Sequence, residues 1–444
     1  MERLVGLLGL AVFVGLGWAV STDRKAVRWR IVGWGLGLQA LFALLILKTR
    51  PGEWAFDRLS KGFTKLIGFT DDGARFVWGW LYKNPAAEKG PVFLIDLLMV
   101  VVFFSALMSL LYHLGLMQRV IAGVAWVMRR SMGTSGSETL SAAANIFVGQ
   151  TEAPLAVKPY LEGMTRSELH AVMVGGFATI AGSVLGAYVG FGIDAGHLIA
   201  ASVMSAPAAL VAAKLFLPET EASPTADGAV VKLEKTSANA FDAVCIGASD
   251  GLKLALNVVA MLLAFVSIIA LLNAAVGGVF GGLTLQRIAG WLFAPFAWLM
   301  GVPWKDCAEI GGLLGTRLVL TEFTAYFQLR SADVSARAYV VATYAFCGFA
   351  NLPSIAVQIG GISALAPGRR ADLARLGMRA MLAGTLASFF TACLAGALLS
   401  DEQVERDFRF NRVRTAATEV EKQKERDAFL AKFPDSPYAP LFRK

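Results

Sequence analysis

Charged side chains are scarce in this chain. They make up 17% of its 444 residues, against about 25% in a typical soluble domain, while 56% of the residues are hydrophobic. This composition excludes an ordinary soluble domain and indicates a protein embedded in lipid. The net charge of +8 does not point to nucleic acid, because the basic excess lies beside the apolar runs, as it does in membrane proteins. We therefore expect no nucleic-acid partner.

Cysteine and histidine are also rare, with four and three residues. Each cysteine stands alone in an apolar or amphipathic segment without the spacing of metal ligands, and the histidines are scattered. Neither a zinc site nor a histidine-based triad is indicated, and packing accounts for the cysteines. These residues are Cys245, Cys307, Cys347, Cys393, His113, His170 and His197.

Long apolar runs are abundant instead. A helix needs about 20 residues to cross about 30 Å of hydrocarbon, and several runs meet that length. They lie at 3–21, 31–49, 93–116, 168–191, 196–217, 251–276, 336–366 and 379–400. The chain is thus predicted to be an all-α polytopic membrane protein with about eight transmembrane helices.

The orientation follows from basic residues. A cluster lies at 22–30, after the first run, and two more lie at 118–130 and 369–379. Because cytoplasmic loops carry the excess of Lys and Arg, we expect all three clusters inside and both chain termini outside. The first run is long and lacks an evident small-residue cleavage site, so we interpret it as a retained helix and not a signal peptide.

One further run, at 137–161, is interrupted at its centre by Gln150, Thr151 and Glu152. The apolar pieces on either side are too short to span, since ten helical residues reach only about 15 Å. Irregular backbone at membrane depth persists where it is packed in protein or lines a cavity, and Pro154 is placed to start a new helix. We predict a re-entrant hairpin.

The second half of the chain repeats this arrangement. The run 305–329 is interrupted near Thr321 and Glu322, and a Gly-Phe-Ala break follows each interrupted run, at 176–178 and 348–350. Two re-entrant hairpins facing two broken helices predict an inverted-repeat transport domain with a polar pocket at the bilayer midplane.

The two glutamates carry most of the functional argument. An ionisable side chain at the membrane centre costs about 2.5–3.5 kcal/mol and marks a functional site by default, so Glu152 and Glu322 are expected to lie buried in the pocket. The Gly-Phe-Ala breaks alone are explained as well by close helix packing. Pro353 is expected inside the second broken helix, where it would free backbone groups near Asn351.

The domain organisation follows from these elements. The tail carries ten Lys or Arg against nine Asp or Glu, and 415–432 is predicted as a short solvated helix. The predicted parts are 1–116 with N-terminal scaffold helices, 117–216 with the first repeat, 217–237 as a polar linker, 238–300 with interfacial and scaffold helices, 301–400 with the second repeat, and 401–444 as a charged tail.

Both hairpins resemble those of the concentrative nucleoside transporter family, in its bacterial form. Residues 141–155, SAAANIFVGQTEAPL, are similar to the family's first hairpin tip almost letter for letter, and 315–326, GTRLVLTEFTAY, resemble its Gly-x-Lys-x3-Asn-Glu-Phe-Val-Ala-Tyr pattern. Residues 290–295 and 347–354 are similar to two further family segments. The resemblance covers about residues 1–400 and omits the tail.

The resemblance implies a homotrimeric, non-enzymatic symporter in the bilayer of the bacterial cytoplasmic (inner) membrane, importing nucleosides such as uridine by an elevator movement. It implies Na+ as the coupling ion. Its implied nucleoside contacts are Gln150, Thr151 and Glu152 for the base, Glu322, Asn351 and Ser354 for the ribose, and Val184 and Phe349 for the pocket wall. Its implied Na+ ligands are Asn145, Val148, Thr179 and Ile180.

Four departures from the family pattern stand near the second tip. Thr321 replaces Asn, Arg317 replaces Lys, Thr324 replaces Val, and Pro353 replaces a small polar residue. Three alternatives remain open at this point. They are H+ coupling through Glu152, a transporter-like sensor that uses the charged tail, and an intramembrane enzyme with two acidic groups but without a nucleophile or metal set.

Overall fold

The computed structural model describes residues 2–79, 93–226, 237–415, 419–434, 436 and 439, and all regular secondary structure within them is helical. This confirms the predicted all-α class. The helices are α1 (Glu2–Ala19), α2 (Trp29–Lys48), α3 (Arg50–Trp78), α4 (Phe93–His113), α5 (Leu116–Met132), α6 (Gly136–Ala144), α7 (Arg166–Ala178), α8 (Gly182–Gly190), α9 (Ala195–Phe216), α10 (Ala240–Val279), α11 (Leu285–Leu299), α12 (Cys307–Val319), α13 (Glu322–Leu329), α14 (Ala336–Phe346), α15 (Leu352–Leu365), α16 (Arg370–Leu398), α17 (Asp401–Thr415) and α18 (Glu419–Lys432). Short 3-10 segments lie at Ala153–Gly163, Trp304–Asp306 and Pro367–Arg369.

Six helical segments of the described chain are long and apolar enough to cross a membrane, and the pair α4 and α5, bent by 77°, raises the number to seven. The count of about eight crossings stays a prediction. Burial separates the crossings into two groups. Of the residues in the apolar stretch of each segment, 94% are buried in the segment formed by α7 and α8 and 89% in α9, but only 22% in α1. The helices beside the hairpins therefore form the core, and α1 lies at its periphery.

The two interrupted runs fold back on themselves. In the first, α6 ends at Ala144, an irregular turn follows, and the 3-10 segment Ala153–Gly163 returns, with Pro154 in its first turn. In the second, α12 and α13 meet at Leu320 and Thr321. Each interrupted run thus places its polar centre at the turn between two short arms.

Both helices with Gly-Phe-Ala breaks are interrupted, between α7 and α8 and between α14 and α15. Pro353 does not lie in a helix interior, and that expectation was wrong. It occupies the first turn of α15, where a missing backbone N–H costs nothing because the group has no helical partner there. Asn351 caps the new helix instead, since its Oδ1 accepts a hydrogen bond from the Ser354 N–H at 2.8 Å.

The tail differs from the prediction of one solvated helix over 415–432. It forms two helices, α17 and α18, and residues 416–418 lie outside the described part of the chain. The first of them packs on the protein body: Val404 is buried in the main core, and the Asp407 carboxylate lies 3.2 Å from His197 Nε2. Phe410 is buried against Phe429 of the second tail helix. The sequence did not indicate this contact, because the buried face of α17 includes a charged residue, Asp407.

Candidate functional site

Glu322, the first residue of α13, lies at the centre of the predicted site and is 3% exposed. Its carboxylate accepts two hydrogen bonds, one from the Tyr188 hydroxyl at 2.8 Å and one from the Asn351 side-chain amide at 2.8 Å. A carboxylate has about four lone-pair positions. Two donors therefore fix its orientation and leave acceptor capacity for a hydroxylated ligand.

A continuous chain of contacts leads from Glu322 to the first hairpin. Asn351 bonds Glu322 and caps the helix at Ser354, and the Ser354 hydroxyl accepts a hydrogen bond from Gln150 Nε2 at 3.3 Å. The Gln150 carbonyl in turn accepts a hydrogen bond from Gln358 Nε2 at 3.1 Å. The structure thus joins four of the predicted nucleoside-contacting residues, which come from both halves of the sequence.

Two members of this arrangement escaped the sequence reasoning. Tyr188 and Gln358 are fully buried polar side chains, and Gln358 also donates to the Met173 carbonyl at 3.1 Å. A signal was present for both, since each lies four residues after a predicted site residue, Val184 or Ser354. Positions i and i+4 share one face of a helix, so a polar residue there faces the same pocket.

Glu152 departs from its expected environment. Glu152 and its neighbour Thr151 are accessible to solvent, so Glu152 is less enclosed than Glu322, and its position at the membrane centre stays a prediction. The tip is a tight turn in which the Gly149 carbonyl accepts from the Glu152 and Ala153 N–H groups at 3.0 Å each, and the Glu152 carboxylate accepts from the Gly149 N–H at 3.4 Å.

Glu152 lines a cavity of about 640 Å³ between the first hairpin and α4, α8 and α10. Tyr112, Ser183 and Asp250 line it as well. Ligand pockets for small molecules measure about 300–1,000 Å³. The cavity is therefore large enough for a small polar ligand to approach the first hairpin tip.

The two helix breaks meet in the middle of the protein. Val184 is buried in the first turn of α8, and Phe349 is half-buried in the second break. The Phe349 N–H donates to the Thr179 carbonyl at 3.2 Å. The breaks thus hydrogen-bond to each other, and the predicted pocket wall lies at their junction.

The four predicted Na+ ligands lie where the first hairpin turn contacts the first break. The Gly182 N–H donates to the Phe147 carbonyl at 3.1 Å, which holds the turn against the break. Asn145 is fully buried, and its Oδ1 has no hydrogen-bond partner among the described residues. The Thr179 hydroxyl donates to the Gly175 carbonyl at 2.9 Å and keeps its acceptor lone pairs. A buried oxygen without a donor fits a cation, because hard cations select oxygen ligands.

Thr321 and Thr324, two departures from the family pattern, contact each other. Thr321 is the N-cap of α13, and its Oγ1 accepts from the Thr324 N–H at 3.4 Å. The two hydroxyl oxygens are 3.3 Å apart. Thr321 therefore caps α13 one residue before Glu322, and its side chain lies beside the site.

Replacing Thr321 with Asn is expected to change substrate preference. Asn also caps helices well, but its longer amide adds one donor and one acceptor next to Glu322. A net hydrogen bond contributes about 0.5–1.5 kcal/mol. Under the nucleoside transport that the hairpin sequences predict, we therefore expect the relative uptake of purine and pyrimidine nucleosides, or of ribose and deoxyribose forms, to shift by about three- to tenfold. Competition of labelled uridine uptake by a nucleoside panel measures this shift. Thr321→Ser is the control, and equal profiles for the Asn variant and wild type would reduce Thr321 to a helix cap.

Two interrupted runs that fold back on themselves beside broken helices, with polar side chains between them, are typical of secondary membrane transporters. Family comparisons agree with that class. The matching family models describe a Na+ dependent nucleoside transporter N-terminus over residues 8–81, nucleoside recognition over 94–195, and a Na+ dependent nucleoside transporter C-terminus over 197–396.

Relatives and solved structures match most of the chain. Sodium/nucleoside cotransporter 1 of Mus musculus is 44% identical over 429 residues, and solute carrier family 28 member 3 of Mus musculus is 45% identical over 427 residues, each covering 91% of this chain. The chain spans 65% and 60% of the length of these two relatives. The structure of CNTnw in an inward-facing substrate-bound state superposes with a TM-score of 0.84 at 42% identity, covering 89% of this chain and 98% of that one.

The chain belongs to the Na+-dependent, concentrative nucleoside transporter family, as its hairpin sequences predicted. It is a multi-pass membrane protein of a transporter family, which removes the intramembrane-enzyme alternative. The tail lies outside the family models, which end at residue 396.

Proposed function

We propose that this protein is a Na+-coupled symporter that imports nucleosides across the bacterial cytoplasmic membrane. The observation that supports it most directly is the Glu322 carboxylate, fixed by Tyr188 and Asn351 at the tip of the second hairpin. A buried carboxylate and amide with spare hydrogen-bonding capacity suit the vicinal hydroxyls of a ribose.

The remaining contacts extend the proposed site toward the base. Ser354 lies beside Asn351 and would share the ribose, while Gln150 offers an amide that already reaches Ser354. Thr151 and Glu152 would complete the base contacts from the cavity side. Val184 and Phe349 supply the apolar wall on which a planar base can pack.

The proposed transport cycle is an elevator movement of the hairpin-bearing core against α4 and α10. The cavity beside the first hairpin extends to Tyr112 near the bend between α4 and α5, and α5 carries the basic residues that predict a cytoplasmic position. The structure is therefore proposed to be inward-facing. Solved chains of CNTnw include inward-facing, intermediate and outward-facing states, and a homotrimer is proposed as the assembly.

The Na+ site is proposed between the first hairpin turn and the first break. Asn145 and Val148 from the turn, with Thr179 and Ile180 from the break, would supply its oxygens. The Thr179 carbonyl already accepts a hydrogen bond from the Phe349 N–H, so the Thr179 hydroxyl is expected to contribute more than this carbonyl to Na+ binding. Because Na+ would join the two parts that enclose Gln150, its binding would favour the arrangement that also binds nucleoside, which is the reciprocal linkage that coupling requires.

Thr179→Val is expected to raise the Na+ concentration for half-maximal uptake by about three- to tenfold. The change removes one oxygen ligand and nearly preserves side-chain shape, so the fold should persist. Thr179→Ser keeps the hydroxyl and serves as the matched control. Uridine uptake measured against Na+ concentration at constant ionic strength gives the value, and a wild-type curve for the Val variant would remove Thr179 from the site.

Ion-gradient dependence tests the function as a whole. The purified full-length protein in proteoliposomes is expected to accumulate unmodified uridine when an inward Na+ gradient is imposed. A pH gradient alone should not support accumulation. Uptake driven by the pH gradient in the absence of Na+ would favour H+ coupling, and binding without any uptake would favour the sensor alternative.

A further inference from the structure

The two broken helices end in comparable ways, and this comparison points to Arg317. The first ends at its C-cap Thr179, followed by Ile180, and the second ends at its C-cap Cys347, followed by Gly348. In the first half, the oxygens of Thr179 and Ile180 are the proposed Na+ ligands. When the two breaks are aligned by these helix ends, and not by their Gly-Phe-Ala residues, the matching backbone oxygens in the second half are those of Cys347 and Gly348.

A cationic side chain lies at these second-half oxygens. The Arg317 guanidinium donates from Nη2 to the Gly348 carbonyl at 3.3 Å and to the Ser388 hydroxyl oxygen at 3.0 Å. The Ser388 hydroxyl is 3.4 Å from the Cys347 carbonyl and can donate to it. Arg317 is 1% exposed, so this positive charge is enclosed by protein and held at neutral oxygens.

The hairpin arms show the complementary difference. Arg317 lies three residues before Leu320, the C-cap of α12, and the position three residues before Asn145, the C-cap of α6, is Ala142. Ala142 is fully buried and carries no side chain beyond its methyl group. The half with the proposed Na+ site thus has a small residue at this position, and the other half has a cation.

The partners of Arg317 resemble those of a metal ion more than those of a salt bridge. No carboxylate of the described residues lies within ion-pair distance of its guanidinium, and its Nε has no hydrogen-bond partner among them. Buried charges are normally paired with an opposite charge or bound to several polar groups. Here the atoms in direct contact with the charge are carbonyl and hydroxyl oxygens, the ligand type that a hard cation selects, while the Glu322 carboxylate attracts it from beyond ion-pair distance.

We propose that the Arg317 guanidinium is a built-in cation that occupies the second-half counterpart of the Na+ site. It would lock the second hairpin to the second break permanently, whereas Na+ does so reversibly in the first half. One Na+ would then accompany each nucleoside. This inference rests on the proposed function, because it concerns the stoichiometry of that same transport.

Arg317→Ala tests the proposal because it reproduces the residue at position 142. It removes the charge and opens space in front of the Gly348, Cys347 and Ser388 oxygens. In proteoliposomes, the reversal potential gives the charge moved per uridine. This charge is expected to rise from about one in wild type to about two in the variant, because one more Na+ moves with each uridine. The Na+ dependence of uptake should change from hyperbolic to sigmoidal.

Two variants at the same position separate this role from a structural one. Arg317→Lys keeps a cation and is expected to retain a ratio near one, and Arg317→Met fills the space without charge and is expected to lose uptake at every Na+ concentration. A brace that acts through packing alone would be replaced better by Met than by Ala. Uptake by the Ala variant at an unchanged ratio of one would overturn the proposal.

Folding provides a second readout. If the Ala variant is inactive, or is unstable without Na+, then NaCl, but not choline chloride, is expected to raise its melting temperature in detergent. For the Met variant, NaCl is expected to raise the melting temperature no more than it does for wild type. Equal NaCl effects on both variants would contradict the built-in cation. If uptake by the wild-type protein does not depend on Na+, the proposed function itself is refuted, so the two failures remain distinguishable.

Discussion

Glu322→Gln is expected to abolish uridine uptake while the protein stays folded. The carboxylate accepts from Tyr188 and Asn351 at 2.8 Å each, and a Gln side chain offers one acceptor oxygen in place of two. One buried donor is then left unpaired, at about 1–3 kcal/mol, and the ribose loses a charged acceptor of about 1.5–3 kcal/mol. Together these losses correspond to uptake reduced by at least about 60-fold.

The measurement is initial uptake by purified protein in proteoliposomes, with folding checked by elution volume and melting temperature. Glu309→Gln is the matched control, since Glu309 is exposed on α12, in the same hairpin. It should leave uptake within about twofold, as surface substitutions usually do. Normal uridine affinity in the Glu322 variant would remove this residue from the site.

Lys214→Met is expected to destabilise the protein by about 3–5 kcal/mol, the usual loss when one partner of a buried ion pair is removed. The Lys214 Nζ lies 2.6 Å from Glu138 Oε2, and both side chains are almost fully buried, at 4% and 3% exposure. Lys214 also donates to the Ser167 hydroxyl at 2.8 Å. The pair joins the end of α9 to the first turn of α6, which is the base of the first hairpin, so its loss should loosen that hairpin.

The midpoint of thermal inactivation in detergent measures this loss. A double variant, Lys214→Met with Glu138→Gln, is expected to recover part of the stability, because the Glu138 charge no longer stays buried without a partner. Glu219, 3.6 Å from Lys214, also loses this cation but keeps the hydrogen bond from the Thr165 hydroxyl at 2.7 Å. Lys253→Met is the control, since the Lys253–Asp250 pair is 3.6 Å long and exposed, and exposed pairs contribute about 0–1 kcal/mol. If the single Lys214 variant is as stable as the Lys253 variant, the buried pair does not stabilise the protein.

The sequence by itself determined the membrane architecture and the local geometry of the site. Run lengths predicted the crossings, whose number stays a prediction. The apolar arms on each side of Gln150 and Thr321 were too short to span a membrane, which predicted that each run folds back. These properties are local, because a span needs a fixed number of residues and a helix cap acts within three or four positions. Asn351 illustrates this, since it caps α15 through its near neighbour Ser354. The hairpin sequences were specific enough to identify the family.

The tertiary structure decided which polar groups meet. Tyr188 bonds Glu322 across 134 residues and Gln150 bonds Ser354 across 204, and no local pattern specifies such pairs, because they depend on how the two halves pack. The packing also turned Glu152 toward a cavity although its sequence position resembles that of Glu322. Arg317 was visible only as a substitution until the fold placed its charge at the Gly348 carbonyl. Burial of charge is a property of surroundings assembled from distant segments, and for that reason composition and spacing predicted the site but not its internal contacts.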